Sequence, residues 1–170
     1  MSANGSAPSV SLEYTTDGST WSDFIVGTTT VTLANVGDKM HLRAKTTNSG
    51  FASSIDTYNQ FVMTGKIAAS GSIMYLLKND GDLDTIPSSN CFSRLFLQCA
   101  SLTEAPELPA TTLASGCYRG MFQGCTSLTT APELPATTMT TVCYAAMFYG
   151  CTSLTTAPAL PAIAIADSCY

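Results

Sequence analysis

A 26-residue repeat is the feature that most constrains what this chain can fold into. Residues 105–130 read APELPATTLASGCYRGMFQGCTSLTT and residues 131–156 read APELPATTMTTVCYAAMFYGCTSLTT, which are identical at 19 of 26 positions. Residues 79–104 form a diverged earlier copy, and residues 157–170 begin a fourth. Self-similarity at a period of 20 to 50 residues is typical of arrays in which each unit buries its apolar side chains against its neighbours. We therefore expect the second half of the chain to be an array.

The period predicts a leucine-rich-repeat solenoid over residues 79–170. A 26-residue unit lies within the range of roughly 20 to 29 residues for repeats that combine a short strand with a helical or 3₁₀ segment. Residues 128–131 have a strand-like composition and are stopped by Pro132, which lacks a backbone donor. Residues 113–123 place their apolar side chains at helical spacing and predict the helical return. We expect one set of apolar side chains to recur as rungs of the core: Phe96, Phe122 and Phe148, with Leu102, Leu128 and Leu154.

Seven cysteines follow the same period in two rows. Their spacing lacks the close pairs that zinc sites use. Neighbouring units about 4.8 Å apart would be within reach of a disulfide, but equivalent side chains point in parallel and the number is odd. Since free cysteine behaves as a small buried hydrophobe, we expect these side chains to be core rungs, with oxidation left open. The rows are Cys91, Cys117, Cys143 and Cys169, and then Cys99, Cys125 and Cys151.

The part that precedes the array, residues 1–78, has the pattern of short β-strands. Leu12 and Tyr14 alternate with polar residues before the turn signal at residues 16–19, which predicts a hairpin with a second strand over residues 21–26. Further short apolar runs separated by Gly, Asp and Asn turns predict an all-β, sandwich-like domain that caps the array. The predicted fold class is therefore mixed α+β, with a β-sandwich followed by a short repeat solenoid.

Charge and composition exclude several classes of function. Charged residues make up 11% of the chain, the net charge is −5, and Lys and Arg total seven. We therefore expect neither nucleic acid nor an anionic membrane as a partner, because both need clustered cations. No apolar run approaches the roughly 18 residues of a membrane span, and the start of the sequence shows no export signal. We expect a leader to have been trimmed or the protein to leave the cell by another route, such as inside a virus particle.

The residues that could carry catalysis do not form a catalytic set. His41 is the single histidine and lies among polar neighbours, so no nucleophile, base and orienting group can be assembled around it. Glu107 and Glu133 occupy the same repeat position, but Ala159 replaces them in the next copy, and an open face would not raise a pKa. The acidic residues within 79–84 do not have the spacing of the ligands in a calcium-binding loop. We expect this segment to form a turn between the N-terminal part and the repeat array. We expect no enzyme activity, no cofactor and no metal.

A binding surface is better sought at outward positions of the array. A repeated core fixes the inward residues and leaves the outward ones free to vary, and extended faces of repeat arrays commonly bind ligands. An unconstrained surface remains the alternative for these positions. The candidate face comprises Thr103, Glu104, Thr129, Thr130, Thr155 and Thr156, together with Arg119, Gln123 and Tyr149.

The phrase CYxxMFxGCTSLTTAPELPATT, at residues 117–138 and in part again at 143–161, resembles the BspA-like leucine-rich repeat surface proteins of gut Bacteroidetes and related bacteria. The segments YTTDGSTW at 14–21, LANVGDKMHLRA at 33–44 and FVMTGKIAASGSIMYLL at 61–77 resemble the module that precedes such repeats. The resemblance implies an exposed adhesion or recognition protein, on a bacterial surface or in a fibre-like phage protein. It implies no catalytic residues.

Two functions therefore remain as hypotheses. The first is a non-enzymatic binding or adhesion module at a cell surface or outside the cell, whose ligand is a protein or glycan on a host or neighbouring cell. The alternative is a structural virion or fibre component that uses the repeats as a spacer and forms a homo-oligomer, or docks a partner, through its open C-terminal repeat. Nothing predicts nucleic acid as a partner or insertion into a membrane.

Overall fold

A computed structural model describes all 170 residues, and the fold is nearly all β with short strands. The one helical element is a single 3₁₀ turn at Ile73–Leu76, which Ser72 caps by accepting the Met74 N–H. No helix has the length and apolar character needed to cross a bilayer. The strands are β1 Ser2–Asn4, β2 Leu12–Thr15, β3 Ser22–Phe24, β4 His41–Ala44, β5 Tyr58–Gln60, β6 Ile67–Ala68 and β7 Leu102–Glu104.

The largest sheet has three antiparallel strands in the order β3-β2-β4. Leu12 lies opposite both Phe24 and Ala44, and all three side chains are buried on the inner face. The ring of Tyr14 packs edge-on against Phe24 with 6.0 Å between centroids. The hairpin expected from the alternation before residues 16–19 is therefore confirmed, because β2 pairs with β3 across that turn.

Two smaller sheets tie distant parts of the chain together. Strand β1 pairs with β5 in antiparallel orientation, and β6 pairs with β7 in parallel. Since β6 lies before residue 78 and β7 after it, the second of these sheets joins the N-terminal part to the first repeat unit. One continuous hydrophobic core also runs from Leu12 to Cys169 across that point. The division at residues 78 and 79 stays a prediction.

The predicted fold class, a β-sandwich followed by a strand-and-helix solenoid of leucine-rich type, is wrong. The structure contains no α-helix, and its sheets have two, three and two strands, so no sandwich is present and no solenoid sheet runs along the repeats. Residues 128–131 do not form a strand. A single parallel bridge, between Glu104 and Thr130, is formed there. With Pro132 immediately following, the segment has too few donors to extend a ladder.

Positive φ angles explain why the predicted helix over residues 113–123 is absent. Gly116, Gly120 and Gly124 have φ of 63°, 57° and 75°, so every fourth residue leaves the right-handed helical region. The chain instead forms successive tight turns, in which odd-numbered residues donate to the carbonyl three residues earlier, as Met121 does to Tyr118 at 3.1 Å. Apolar side chains spaced by four residues then face one side without a helix.

The N–H groups of the even-numbered residues in these turns donate to carbonyls of the next repeat unit. Phe92 N–H donates to Cys117 O at 2.8 Å, and one unit later Tyr118 N–H donates to Cys143 O at 2.9 Å. Within each turn segment, the N–H groups of even-numbered residues thus point toward the following unit. The carbonyls of odd-numbered residues point toward the preceding unit. The units are joined by this hydrogen bonding and by two columns of stacked rings, not by a continuous sheet. The columns are Phe92, Tyr118, Tyr144 and Tyr170, and Phe96, Phe122 and Phe148.

Residues 51–73 pack against the first repeat unit on the side away from the second unit. They make the same kinds of contact that one repeat unit makes to the next. The ring of Phe61 stacks on Phe96 at 4.9 Å, and the Phe61 N–H donates to Leu95 O at 2.7 Å. Ile67 donates in the same direction to Ser101 O, in the first unit, and Ile73 donates to Glu107 O, at the start of the second unit. The apolar side chains of the first unit are thereby removed from water, which is the physical requirement for the end of any repeat array.

Candidate functional site

The structure brings four of the candidate binding residues together. Glu104 and Thr130 form a parallel bridge, and Thr129 N–H donates to Thr103 O at 3.4 Å. Thr103 is half-buried and its hydroxyl donates to Ile67 O, whereas Glu104, Thr129 and Thr130 are exposed. These four residues are called the hydroxyl face below. The Thr129 hydroxyl donates to Thr103 O at 3.4 Å. The face therefore places the Glu104 carboxylate beside one free hydroxyl, that of Thr130, on the adjacent unit.

The other candidate residues are placed differently. Thr155 and Thr156 are exposed, but no backbone hydrogen bond joins them to Thr129 or Thr130. Arg119, Gln123 and Tyr149 lie in the turn segments that carry the stacked rings, where their carbonyls accept from the preceding unit. Arg119 and Gln123 are half-buried, and Tyr149 is 72% exposed. The nine residues therefore comprise one contiguous group of four, the pair Thr155 and Thr156, and three residues of the turn segments.

The cysteines are free thiols, and all seven are buried. In the second row, the thiol of Cys125 donates to Phe96 O at 3.1 Å and that of Cys151 to Phe122 O at 3.0 Å, so each reaches back to the preceding unit. Burial raises the pKa of Cys91 and of Cys125 to about 12. A thiol held protonated in this way is a poor nucleophile and a poor metal ligand. The thiols lie between stacked units and are shielded from solvent.

A polar hollow of about 590 Å³ lies beside the three-stranded sheet and contains the single histidine. Both of its carboxylates, those of Asp17 and Asp38, accept hydrogen bonds within turns. Asp17 accepts from the Ser19 and Thr20 N–H groups, and these bonds hold its pKa well below the usual range. Asp38 accepts from Asn35 N–H at 2.9 Å. No group of three or more His, Cys, Asp or Glu side chains is arranged to hold a metal ion anywhere in the chain.

Two glutamates recur at the same position of the repeat. Glu107 and Glu133 are both exposed. Glu133 lies at an open depression of about 320 Å³, otherwise lined by Leu134 and by prolines and alanines of two adjacent units. Glu133 is the one charged side chain that lines this depression.

Comparison of the chain with protein-family models gives no match, and comparisons with curated proteins and with solved structures give none either. The resemblance to BspA-like proteins therefore stays a prediction. Sequence reasoning missed the use of Phe51 and Phe61 as the rings that continue the two columns before the repeat. The spacing of Gly116, Gly120 and Gly124 was the signal for tight turns, because a helix of that length would not place glycine at every fourth position.

Proposed function

We propose that this protein is a non-enzymatic binding module that presents the hydroxyl face of its repeat units to a protein or glycan ligand outside the cell or on a cell surface. The observation that supports this is the bridge between Glu104 and Thr130, which sets an exposed carboxylate beside an exposed hydroxyl on neighbouring units. Hydroxyl and carboxylate groups are the donors and acceptors that pair with sugar hydroxyls or with peptide groups.

The scarcity of charge in the repeat units agrees with a polar but uncharged ligand. After Arg119 the chain contains no Lys or Arg, and between residues 134 and 170 its single charged side chain is Asp167. Long-range attraction of a charged ligand is therefore weak, and recognition depends on short-range hydrogen bonding and shape. Within the hydroxyl face, the Thr130 hydroxyl and the Glu104 carboxylate supply such bonds.

A glycan array and a pull-down from host-cell lysate with the full chain test this proposal together. We expect one ligand class to be retained, and we expect Glu104→Gln combined with Thr130→Ala to reduce its binding about tenfold or more, since two ligand hydrogen bonds are lost. Thr111→Ala combined with Thr112→Ala is the matched control, because these threonines are equally exposed in the same repeat array. Equal loss in both double variants would contradict a site at the hydroxyl face.

The second candidate is a structural component of a virion or fibre. Exposed apolar side chains in the last unit favour it, because Ile163 is 94% and Ile165 76% exposed. Apolar side chains grouped on a surface are typical of assembly interfaces. Light scattering during size-exclusion chromatography separates the two candidates, since a structural component forms a stable oligomer and the binding module is active as a monomer.

A further inference from the structure

The polar hollow beside the three-stranded sheet has the size of a small-molecule site. Its volume of about 590 Å³ lies within the range of roughly 300 to 1,000 Å³ that is usual for such sites. One wall is the turn that follows β2, and the other is the loop that leads into β4. The lining residues are Thr16, Asp17, Gly18, Thr32, Leu33, Gly37, Asp38, Lys39 and His41.

Hydrogen bonds within the walls fix the shape of the hollow before any ligand binds. Oδ1 of Asp17 accepts from two N–H groups of its own turn, at 2.8 and 2.7 Å. Oδ2 of Asp38 accepts from Asn35 N–H at 2.9 Å. His41 is held by the sheet, because it lies opposite Thr15 in the pairing of β2 with β4. A site that is already ordered loses less conformational entropy when a ligand binds.

Several polar groups of the hollow make no hydrogen bond or ion pair with the rest of the protein. They comprise donors, hydroxyls that can donate or accept, and one carboxylate oxygen that accepts. A ligand that matches them offers both donors and acceptors, as sugar hydroxyls do. The groups are the Lys39 ammonium, the His41 imidazole, the hydroxyls of Thr16 and Thr32, and Oδ1 of Asp38.

The charges that line the hollow oppose a strongly charged ligand. The carboxylates of Asp17 and Asp38 repel a phosphate, a sulfate or an acidic sugar. The Lys39 ammonium repels a metal ion, and no three His, Cys, Asp or Glu side chains are grouped to hold one. A peptide fits poorly, because peptide sites rely on apolar pockets or a strand edge, and Leu33 is the one apolar side chain here. A neutral polar ligand meets all of these conditions.

We infer that the polar hollow binds a neutral sugar residue of a glycan. Hydroxyls of the sugar donate to Oδ1 of Asp38 and accept from the Lys39 ammonium. The C–H face of the ring packs on Leu33, which is 37% exposed. The hollow lies in the N-terminal part and shares no residue with the hydroxyl face, so this inference does not rest on the ligand proposed for that face.

The probes are the methyl glycosides of glucose, galactose, mannose, fucose, N-acetylglucosamine and N-acetylgalactosamine, each titrated into the full chain labelled with ¹⁵N. We expect at least one to give saturable shifts at the amide resonances of the hollow. The dissociation constant should be millimolar, since a single sugar makes few contacts. Methyl glucuronide, which carries a carboxylate, should bind at least about tenfold more weakly than the neutral glycosides.

Three outcomes of these titrations would overturn the inference. The first is the absence of saturable shifts with all six glycosides. The second is binding of the glucuronide as tightly as of a neutral glycoside, because the two carboxylates would then have no effect. The third is saturable shifts with an uncharged peptide of serine and threonine but with none of the glycosides, which would indicate a protein ligand.

Protein variants locate the binding. Lys39→Ala removes a donor that has no other partner and should weaken binding about tenfold, as the loss of a hydrogen bond from a charged group does. Lys66→Ala is the matched control, because Lys66 is also exposed and forms no ion pair, and it should leave binding unchanged. Glu104→Gln combined with Thr130→Ala should leave it unchanged as well. Equal effects of the two lysine variants, or loss of sugar binding in the double variant, would contradict a site in the hollow.

Discussion

The ring of Phe51 stacks on that of Phe92 with 5.9 Å between centroids and 20° between planes. It thus begins an aromatic column that continues through three repeat units and into the fourth. The Phe51 N–H donates to Cys91 O, the carbonyl equivalent to the one that Phe92 itself uses in the next unit. A residue 28 positions before the first repeat unit thus has the ring position and the hydrogen bond of a repeat residue. The N-terminal part therefore covers the array through a residue that makes the same contacts as a repeat residue.

Phe51→Ala should cost about 3–5 kcal/mol of unfolding free energy, because the side chain is fully buried and its loss leaves a cavity over Phe92. We also expect faster labelling of the Cys91 thiol by a thiol reagent in the folded protein. Urea denaturation and labelling kinetics measure the two effects. Val62→Ala, at a 62% exposed position, is the control and should change neither. A Phe51→Ala loss below about 1 kcal/mol would mean that this ring does not cover the array.

Truncation of the rings in the second column should depend on position along the array. Phe122→Ala removes a fully buried ring with neighbours on both sides and should cost about 3–5 kcal/mol. Phe148→Ala removes a ring with one neighbour and should cost clearly less. Denaturant unfolding of both variants checks the order. Equal costs would show that the open face of Phe148 is not solvated.

Position 116 and its equivalents test the role of positive φ. Gly116→Ala should destabilise the protein by at least about 1 kcal/mol, because φ is 63° and an added Cβ would lie 2.6 Å from Asn90 Oδ1. Val142 occupies the equivalent position with φ of 51°, which a β-branched residue adopts at a cost.

Val142→Asn introduces the residue found at position 90, which tolerates this conformation, and should stabilise the protein by about 0.5–1 kcal/mol. Thermal or urea unfolding of both variants measures the changes. A destabilising effect of Val142→Asn that equals that of Gly116→Ala would contradict strain at this position.

Stability should fall in alkaline solution because of the buried thiols. The pKa of Cys91 and of Cys125 is raised by burial from 9.0 to about 12, and that of Cys99 to about 11. An acid whose pKa is raised in the folded state contributes its full stability below the unfolded pKa and loses it as the pH rises toward the folded value. We expect the unfolding free energy to decrease between pH about 9 and 11, by at most about 1.4 kcal/mol per pH unit for each such thiol.

Urea denaturation under reducing conditions across this pH range gives the slope. Cys125→Ala is the matched control. In this variant the decrease of the unfolding free energy per pH unit should be smaller by the contribution of one thiol. A slope unchanged in that variant would indicate that Cys125 ionises equally in the folded and unfolded states.

The repeat made several features predictable. Periodicity located the side chains that stack, because Phe96, Phe122 and Phe148 recur at one phase, and alternation located the hairpin of β2 and β3. Periodicity of four could not distinguish a helix from successive turns, since both place the same apolar residues on one side. The candidate face was predicted from variation among copies, and the structure joins only part of it through the bridge of Glu104 and Thr130.

By itself, the sequence determined the 26-residue unit, the phase of its buried residues and the scarcity of charge, because all three depend on which residue stands at which position. Tertiary structure decided the backbone path within the unit. Forward hydrogen bonds between units, such as Tyr118 N–H to Cys143 O, replace the bonds that a helix would have made internally. It also decided that Phe51 and Phe61 cover the first unit, since their place in the columns depends on contacts across more than 30 residues of chain that no local pattern records.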